Sequence, residues 1–213
     1  MPFPALPPSD CPRCPRLAAF RAVQRAAHPE WFNAPVPPFG DRRAELLIVG
    51  LAPGLRGANR TGRPFTGDHA GELLYATLRK FALAEGDYDA RPDDGLTLTR
   101  VKITNAVRCV PPQNRPEPGE IAACRPFLAA ELAALPRLKA IVALGTIAHQ
   151  TVLAALGLRR APYPFAHGSI HELPDQPFLA DSYHCSRLNT NTGRLTAAMF
   201  EAVFAALAQR LDG

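Results

Sequence analysis

At 213 residues, with 47% hydrophobic side chains and a formal net charge of +5, the chain is long enough to bury a sizeable core as a single domain spanning residues 1–213. No stretch approaches the roughly 20 apolar residues of a membrane span, and the opening stretch MPFPALPPSDCPRC lacks the apolar core of a signal peptide, so a cytoplasmic monomer with no membrane partner is expected. Five cysteines in such a chain argue against a disulfide scaffold, and a pI of about 9.2 favours a polyanionic partner without identifying one.

Taken in order, the chain opens with Cys11-Pro-Arg-Cys14 and a predicted helix over about 13–27, then a proline-broken loop from His28 to Gly40. A first short apolar strand, about Glu45 to Val49, runs into a loop carrying Gly50, Gly54, Gly57, Gly62 and Gly67. A helix then starts at about His69 and ends near Ala84. Asp87 to Gly95 is polar and loop-like. A second strand, Val101 to Thr104, ends at Asn105, and a loop with Cys109 leads to a helix opened by Glu117, Gly119 and Glu120 that holds Cys124 and runs to about Leu135. Lys139 to Leu144 is a third strand, followed by a helix from Gly145 to about Leu156 and a partly extended excursion, Tyr163 to Leu173. A fourth strand, about Phe178 to Tyr183, ends at His184, and a last helix covers about 194–211. Four short apolar strands alternating with helices predict a three-layer α/β/α domain around a four-stranded parallel sheet.

In such sheets ligands sit off the carboxyl ends of the strands. Those ends deliver Gly50, Ala52 and Gly54, then Asn105, then Gly145 and finally His184. Strand, glycine loop and helix make a phosphate- or nucleotide-type site. However, no Gly-Lys-Ser/Thr follows the glycines and the dinucleotide spacing is absent. An amide such as Asn105 presents an acceptor beside a donor, matching a base edge with a ring N–H next to a carbonyl, as in uracil, although a strand-end amide also serves to satisfy backbone. Phe65, beside Gly67, is either core or a stacking platform. Arg56, Arg60 and Arg63 on the glycine loop, with Ser186, Arg187 and Arg194 after His184, are expected at phosphates rather than as solvated charges. Asp68 caps the helix that begins at His69, and is the nearest carboxylate on the loop for orienting a water. Cys11, Cys14, Cys109 and Cys124 suit a four-thiolate site for zinc or an iron–sulfur cluster, which would tie the N-terminal tail to the body; spacing does not separate the two.

At Gly50-Leu51-Ala52-Pro53-Gly54, Asn59-Arg60-Thr61-Gly62-Arg63-Pro64-Phe65-Thr66-Gly67-Asp68, Thr104-Asn105-Ala106-Val107-Arg108-Cys109 and His184-Cys185-Ser186 the chain resembles the uracil-DNA glycosylase superfamily, and within it the thermophile-type family 5 enzymes. The resemblance implies a base-excision-repair enzyme acting on DNA with deaminated bases, uracil foremost and hypoxanthine by extension. It also implies a [4Fe–4S] cluster on the four cysteines, with zinc the alternative. Phe65 would stack on the extruded base, Asn105 would read its edge and His184 would contact its C2 carbonyl. Where classical members read Gly-Gln-Asp-Pro-Tyr, this chain has Ala52 at the water-activating carboxylate, Gly54 at the tyrosine wall, and Leu51 at the family 4 glutamate. Catalysis must therefore be arranged differently, through Asp68, Asn105 and His184, and the pocket is expected to be open to larger bases. Two other classes stay compatible with the same residues: a non-turnover or covalent binder of uracil-DNA, and a zinc-stabilised nucleic-acid-binding module.

Overall fold

The structure is a computed structural model that describes residues 6–211; residues 1–5 and 212–213 of the expected domain lie outside the described residues. In chain order the elements are α1 (Pro15–Ala27), β1 (Phe39–Gly40), β2 (Leu46–Gly50), α2 (Ala58–Thr61), α3 (His69–Lys80), β3 (Ala84–Glu85), β4 (Thr97–Leu98) and β5 (Val101–Asn105). They continue with α4 (Pro118–Ala133), β6 (Ala140–Leu144), α5 (Thr146–Ala155), β7 (Ile170–His171), β8 (Phe178–Ser182), α6 (Arg187–Asn191) and α7 (Ala197–Leu211). Among the described residues no helix is long and apolar enough to cross a membrane.

The main sheet has the order β1-β5-β2-β6-β8-β7. Its four central strands are parallel, as expected; the two-residue strands β1 and β7 add antiparallel edges. Because side chains alternate across a strand, Leu46 and Ile48 face one layer and Leu47 and Val49 the other. The first layer is α3 and α7, through Leu74, Tyr75, Leu78, Phe200 and Phe204. The second is α4 and α5, through Leu128, Leu132, Val152 and Leu153. Cover on both faces explains why these strands read as unbroken apolar runs.

Three boundaries differ from expectation. α3 stops at Lys80, not Ala84, because Ala82 adopts a left-handed φ of 54° and Ala84 enters β3, paired with β4. The glycine loop contains a short helix, α2. The last helix begins at Ala197, preceded by the separate α6 that Ser186 caps through its side chain. The excursion before β8 is anchored by Asp181, which accepts hydrogen bonds from His149 on α5 (2.7 Å), from His171 on β7 (3.0 Å) and from the Ala166 N–H (3.3 Å).

Parallel register brings Gly50 directly opposite Asn105. Beyond the strands, Ala106 N–H donates to Gly50 O (2.9 Å) and Val107 N–H to Leu51 O (3.0 Å), so the loops after β2 and β5 continue side by side. The second loop is fixed by a buried ion pair between Arg108 and Glu131, with Thr104 Oγ1 donating to the same carboxylate (2.9 Å).

Candidate active site and cysteine centre

The carboxyl ends of β2, β5 and β8 and the start of α3 border a small cavity of about 30 Å³, lined by Ala52, Gly54, Phe65, Asp68, Asn105 and His184 among others. Gly50 lies beneath it, where a Cβ would stand 2.5 Å from Asn105 Oδ1 and 2.6 Å from the Phe65 ring. The absence of a side chain there lets both groups converge. Every residue expected to bind a base is thus brought to one place.

Asn105 is 3% exposed, and its side chain lines the cavity. His184 Nδ1 is buried without a hydrogen-bond partner among the described residues. Buried polar groups are normally paired, so an orphaned imidazole nitrogen on a residue that lines the same cavity as the Asn105 amide marks hydrogen-bonding capacity held for a ligand. Burial pushes the His184 imidazole down to about 4, so at neutral pH it is uncharged, with one N–H to donate. Its position is held by Asn189 Nδ2, which donates to the His184 carbonyl (2.8 Å). The Phe65 ring lies 5.8 Å from the His184 ring at 26°, one aromatic platform beside one donor. Phe65 holds a φ of 53°, a left-handed conformation that costs a non-glycine residue roughly 1–3 kcal/mol and persists only where surroundings enforce it.

Asp68 caps α3 as expected and also borders the cavity. Its Oδ1 accepts from the Gly71 N–H (3.3 Å) as the cap of α3. Its Oδ2 faces Gly54 and Gly57, 3.0 Å from where a Gly54 Cβ would stand. The space left by the missing residue-54 side chain is therefore bordered by a carboxylate. Burial raises the Asp68 pKa, opposed by the backbone N–H groups of Gly71 and Ala70.

Of the basic residues, Arg56, Arg60, Arg187 and Arg194 are exposed. Arg63 is not: it is 5% exposed and makes two hydrogen bonds to Asp94, at 2.7 and 2.6 Å. The expectation that Arg63 meets phosphates is corrected, because its guanidinium is committed to a buried carboxylate inside the fold. Ser186 is half-buried and its Oγ is occupied in capping α6, accepting from Asn189 N–H (3.4 Å). Sequence reasoning missed Leu188, an apolar side chain 73% exposed on α6 beside Arg187, and Tyr88, which bonds the Phe65 carbonyl. An apolar residue among polar ones in the segment after His184 was a usable signal for the former; nothing in the local sequence marks the latter.

Cys11, Cys14, Cys109 and Cys124 are all free thiols and cluster with Leu17, Val107 and Phe127 around a small gap of about 10 Å³. Arg21 donates to Cys109 Sγ (3.3 Å) and to Cys11 O (3.0 Å), and the Arg108 N–H points at Cys124 Sγ (3.3 Å). Burial raises the Cys14 thiol to about 11 and the Cys109 thiol to about 12, and it raises Cys124 as well. Four thiolates are stable together there only with compensating positive charge, which suits a metal centre. Cys185 stands apart, donating to Ala70 O (3.4 Å). Ala52 both lines the cavity and packs against the cysteine group, so the two sites share a wall.

A doubly covered parallel sheet whose strand ends present an amide and an imidazole, with an aromatic ring from the glycine loop, around a small cavity has the architecture of a nucleobase-recognising α/β/α protein. Residues 37–208 match the Uracil DNA glycosylase superfamily, and the chain belongs to that family. It is 47% identical over 209 residues to the type-5 uracil-DNA glycosylase of Thermus thermophilus, covering 95% of this chain and 94% of that one. Against the type-5 enzyme of Mycobacterium tuberculosis it is 44% identical, covering 92% and 76%. With that of Pyrobaculum aerophilum the figures are 43% identity, 88% and 83%.

Proposed function

We propose that the chain is a type-5 uracil-DNA glycosylase that extrudes a deaminated base from DNA and hydrolyses its N-glycosidic bond. The observation that carries this reading is the convergence of the Asn105 amide, the His184 imidazole, whose Nδ1 is buried without a partner, and the Phe65 ring on one small cavity. Extrusion costs a few kcal/mol, least at a mismatch. One aromatic stack, worth roughly 1–3 kcal/mol, and two hydrogen bonds offset it. Asn105 reads the N–H and carbonyl edge. His184, uncharged, donates to the C2 carbonyl as negative charge collects on the leaving base, the kind of preorganised donor whose loss slows such reactions most. Asp68, ionised, orients the attacking water or stabilises the cationic sugar. Arg56, Arg60, Arg187 and Arg194 hold phosphates, and Leu188 is placed as an apolar wedge into the opened stack.

Cys11, Cys14, Cys109 and Cys124 fit a [4Fe–4S] cluster by donor chemistry: four converging thiols, none in a disulfide, with Arg21 supplying nearby positive charge. Its contribution when bound is to clamp α1 to α4 and to the loop after β5. Iron and sulfide analysis separates it from zinc. The enzyme is expected to act as a cytoplasmic monomer, and hypoxanthine is a second substrate. The direct test is a duplex carrying a single uracil: incubation followed by alkali cuts the uracil strand at that position. An uncut strand at enzyme excess refutes the reading.

A further inference from the structure

The stacking ring is useful only where it is held, and Phe65 sits in a turn with no regular backbone bonding on either side. Three successive carbonyls of that turn are each taken by a hydroxyl from a different part of the fold. Tyr75 Oη on α3 donates to Pro64 O (2.6 Å), Tyr88 Oη donates to Phe65 O (3.1 Å), and Thr61 Oγ1 on α2 donates to Thr66 O (3.1 Å). The Phe65 carbonyl reaches Tyr88 across Gly71, where any Cβ would overlap both the carbonyl and the tyrosine hydroxyl. The same hydroxyl accepts from the Gly67 N–H (3.4 Å), so one side chain bridges both flanks of residue 66.

Tyr88 is in turn held by the ion pair inside the fold. The Arg63 guanidinium lies 5.1, 5.5 and 5.9 Å from the ring centres of Phe39, Tyr75 and Tyr88. Its Nε donates to Thr66 Oγ1 (2.7 Å) and its two terminal nitrogens to Asp94. Asp94 also accepts from the N–H groups of Asp89 (3.1 Å) and Leu96 (3.1 Å), which fixes the loop carrying Tyr88. The loop from β3 to β4 therefore works as a brace against the back of the glycine loop.

We propose that Tyr88 is a positioning residue for the excision reaction, whose hydroxyl, braced by the Arg63–Asp94 pair, holds Phe65 in its left-handed conformation and so sets the plane on which the extruded base stacks. This rests on the uracil-excision reading above. Tyr88→Phe deletes one hydroxyl and keeps the ring packed on Tyr75 (centroids 4.6 Å apart). Its expected effect is a single-turnover excision rate at least tenfold lower, with unchanged affinity for undamaged duplex and a melting temperature within a few degrees of wild type. A purely structural hydroxyl would lower the melting temperature and leave the rate alone. The decisive measurement is a double-mutant cycle with Phe65→Ala. If Tyr88 acts through Phe65, Tyr88→Phe causes no further loss once the ring is gone. Equal fractional losses in both backgrounds, or a Tyr88→Phe rate within twofold of wild type, overturn the proposal while wild-type turnover keeps the excision reading. A wild-type chain inert on uracil duplex overturns both.

Discussion

Replacing Asp68 by asparagine separates the two positions its carboxyl occupies. As a cap, its Oδ1 accepts one hydrogen bond from Gly71 N–H, and asparagine is about as good a cap as aspartate, whereas alanine costs about 1 kcal/mol. Burial raises the Asp68 pKa, so its charge adds nothing to stability at neutral pH: a raised carboxylate contributes below its unfolded value of 3.8 and loses that contribution as pH climbs through the folded value. Asp68→Asn should therefore melt at or slightly above the wild-type temperature. As a catalytic group, Oδ2 faces the cavity, and loss of its charge should slow single-turnover uracil excision on the order of a hundredfold, equivalent to about 2.7 kcal/mol of barrier. The wild-type rate should fall on the acid side through a pKa above 3.8, and that limb should vanish in the variant. Excision by Asp68→Asn within a few-fold of wild type, with the acid limb intact, removes Asp68 from the chemistry and leaves it a helix cap.

The remaining expectations concern other parts of the molecule. On duplex DNA, Arg56, Arg60, Arg187 and Arg194 should each add roughly 0.9 to the slope of log affinity against log salt. Arg63→Gln should leave that slope alone and cost about 3–5 kcal/mol of stability by orphaning the buried Asp94; a slope change with normal stability would contradict the buried pairing. Cys109→Ser should lose iron and melt earlier, and stoichiometric zinc without iron in protein from iron-replete cells would exclude the cluster. His184 is depressed from 6.5 to about 4, so the unfolded chain takes up a proton the folded one refuses, and stability should fall as pH drops across that window. His184→Asn should remove that component of the melting curve, and an unchanged pH dependence would show the imidazole to be freely solvated. Inosine-containing duplex should be cleaved at the modified base, given Gly54; strict confinement to uracil would mean that the Asp68 carboxylate closes the space.

The four central strands were legible because both of their faces are buried, which leaves a continuous apolar run that no solvent-facing pattern interrupts. The strand-end residues followed from them: once β5 ends at Asn105 and β8 just before His184, topology places both at one edge. The two-residue strands β1, β3, β4 and β7 were not legible, since they exist by pairing and are too short to carry a period. The end of α3 was missed because its left-handed stop is at Ala82, where no glycine advertises it. Arg63 misled for a related reason. Its neighbours Arg56 and Arg60 are exposed and free to meet phosphates, but its own partner lies 31 residues away in a polar segment that looks like any exposed loop. Pairing of that kind belongs to tertiary structure and leaves no local trace.

The departures in the first glycine loop are also intelligible from the shared wall between the two sites. By the resemblance, Ala52 stands where classical members carry the water-activating carboxylate, and it packs against the cysteine group while lining the cavity. A carboxylate at 52 would abut the cysteine group, in surroundings dry enough to raise the Cys109 thiol to about 12. Burial of that kind disfavours ionisation, and a carboxyl held neutral there could not activate water. The far wall of the cavity is also buried, but there backbone N–H groups offset part of the cost of ionisation. At the start of α3 the Gly71 N–H bonds Oδ1 of Asp68, and the positive end of the helix dipole favours the ionised form. Gly54 and Gly57 leave the room its Oδ2 occupies. If Asp68 serves the reaction as proposed, its carboxylate acts from a helix N-terminus and not from the cysteine side of the pocket, with alanine at 52 against the cysteine group and glycine at 54 and 57 where the aspartate reaches in.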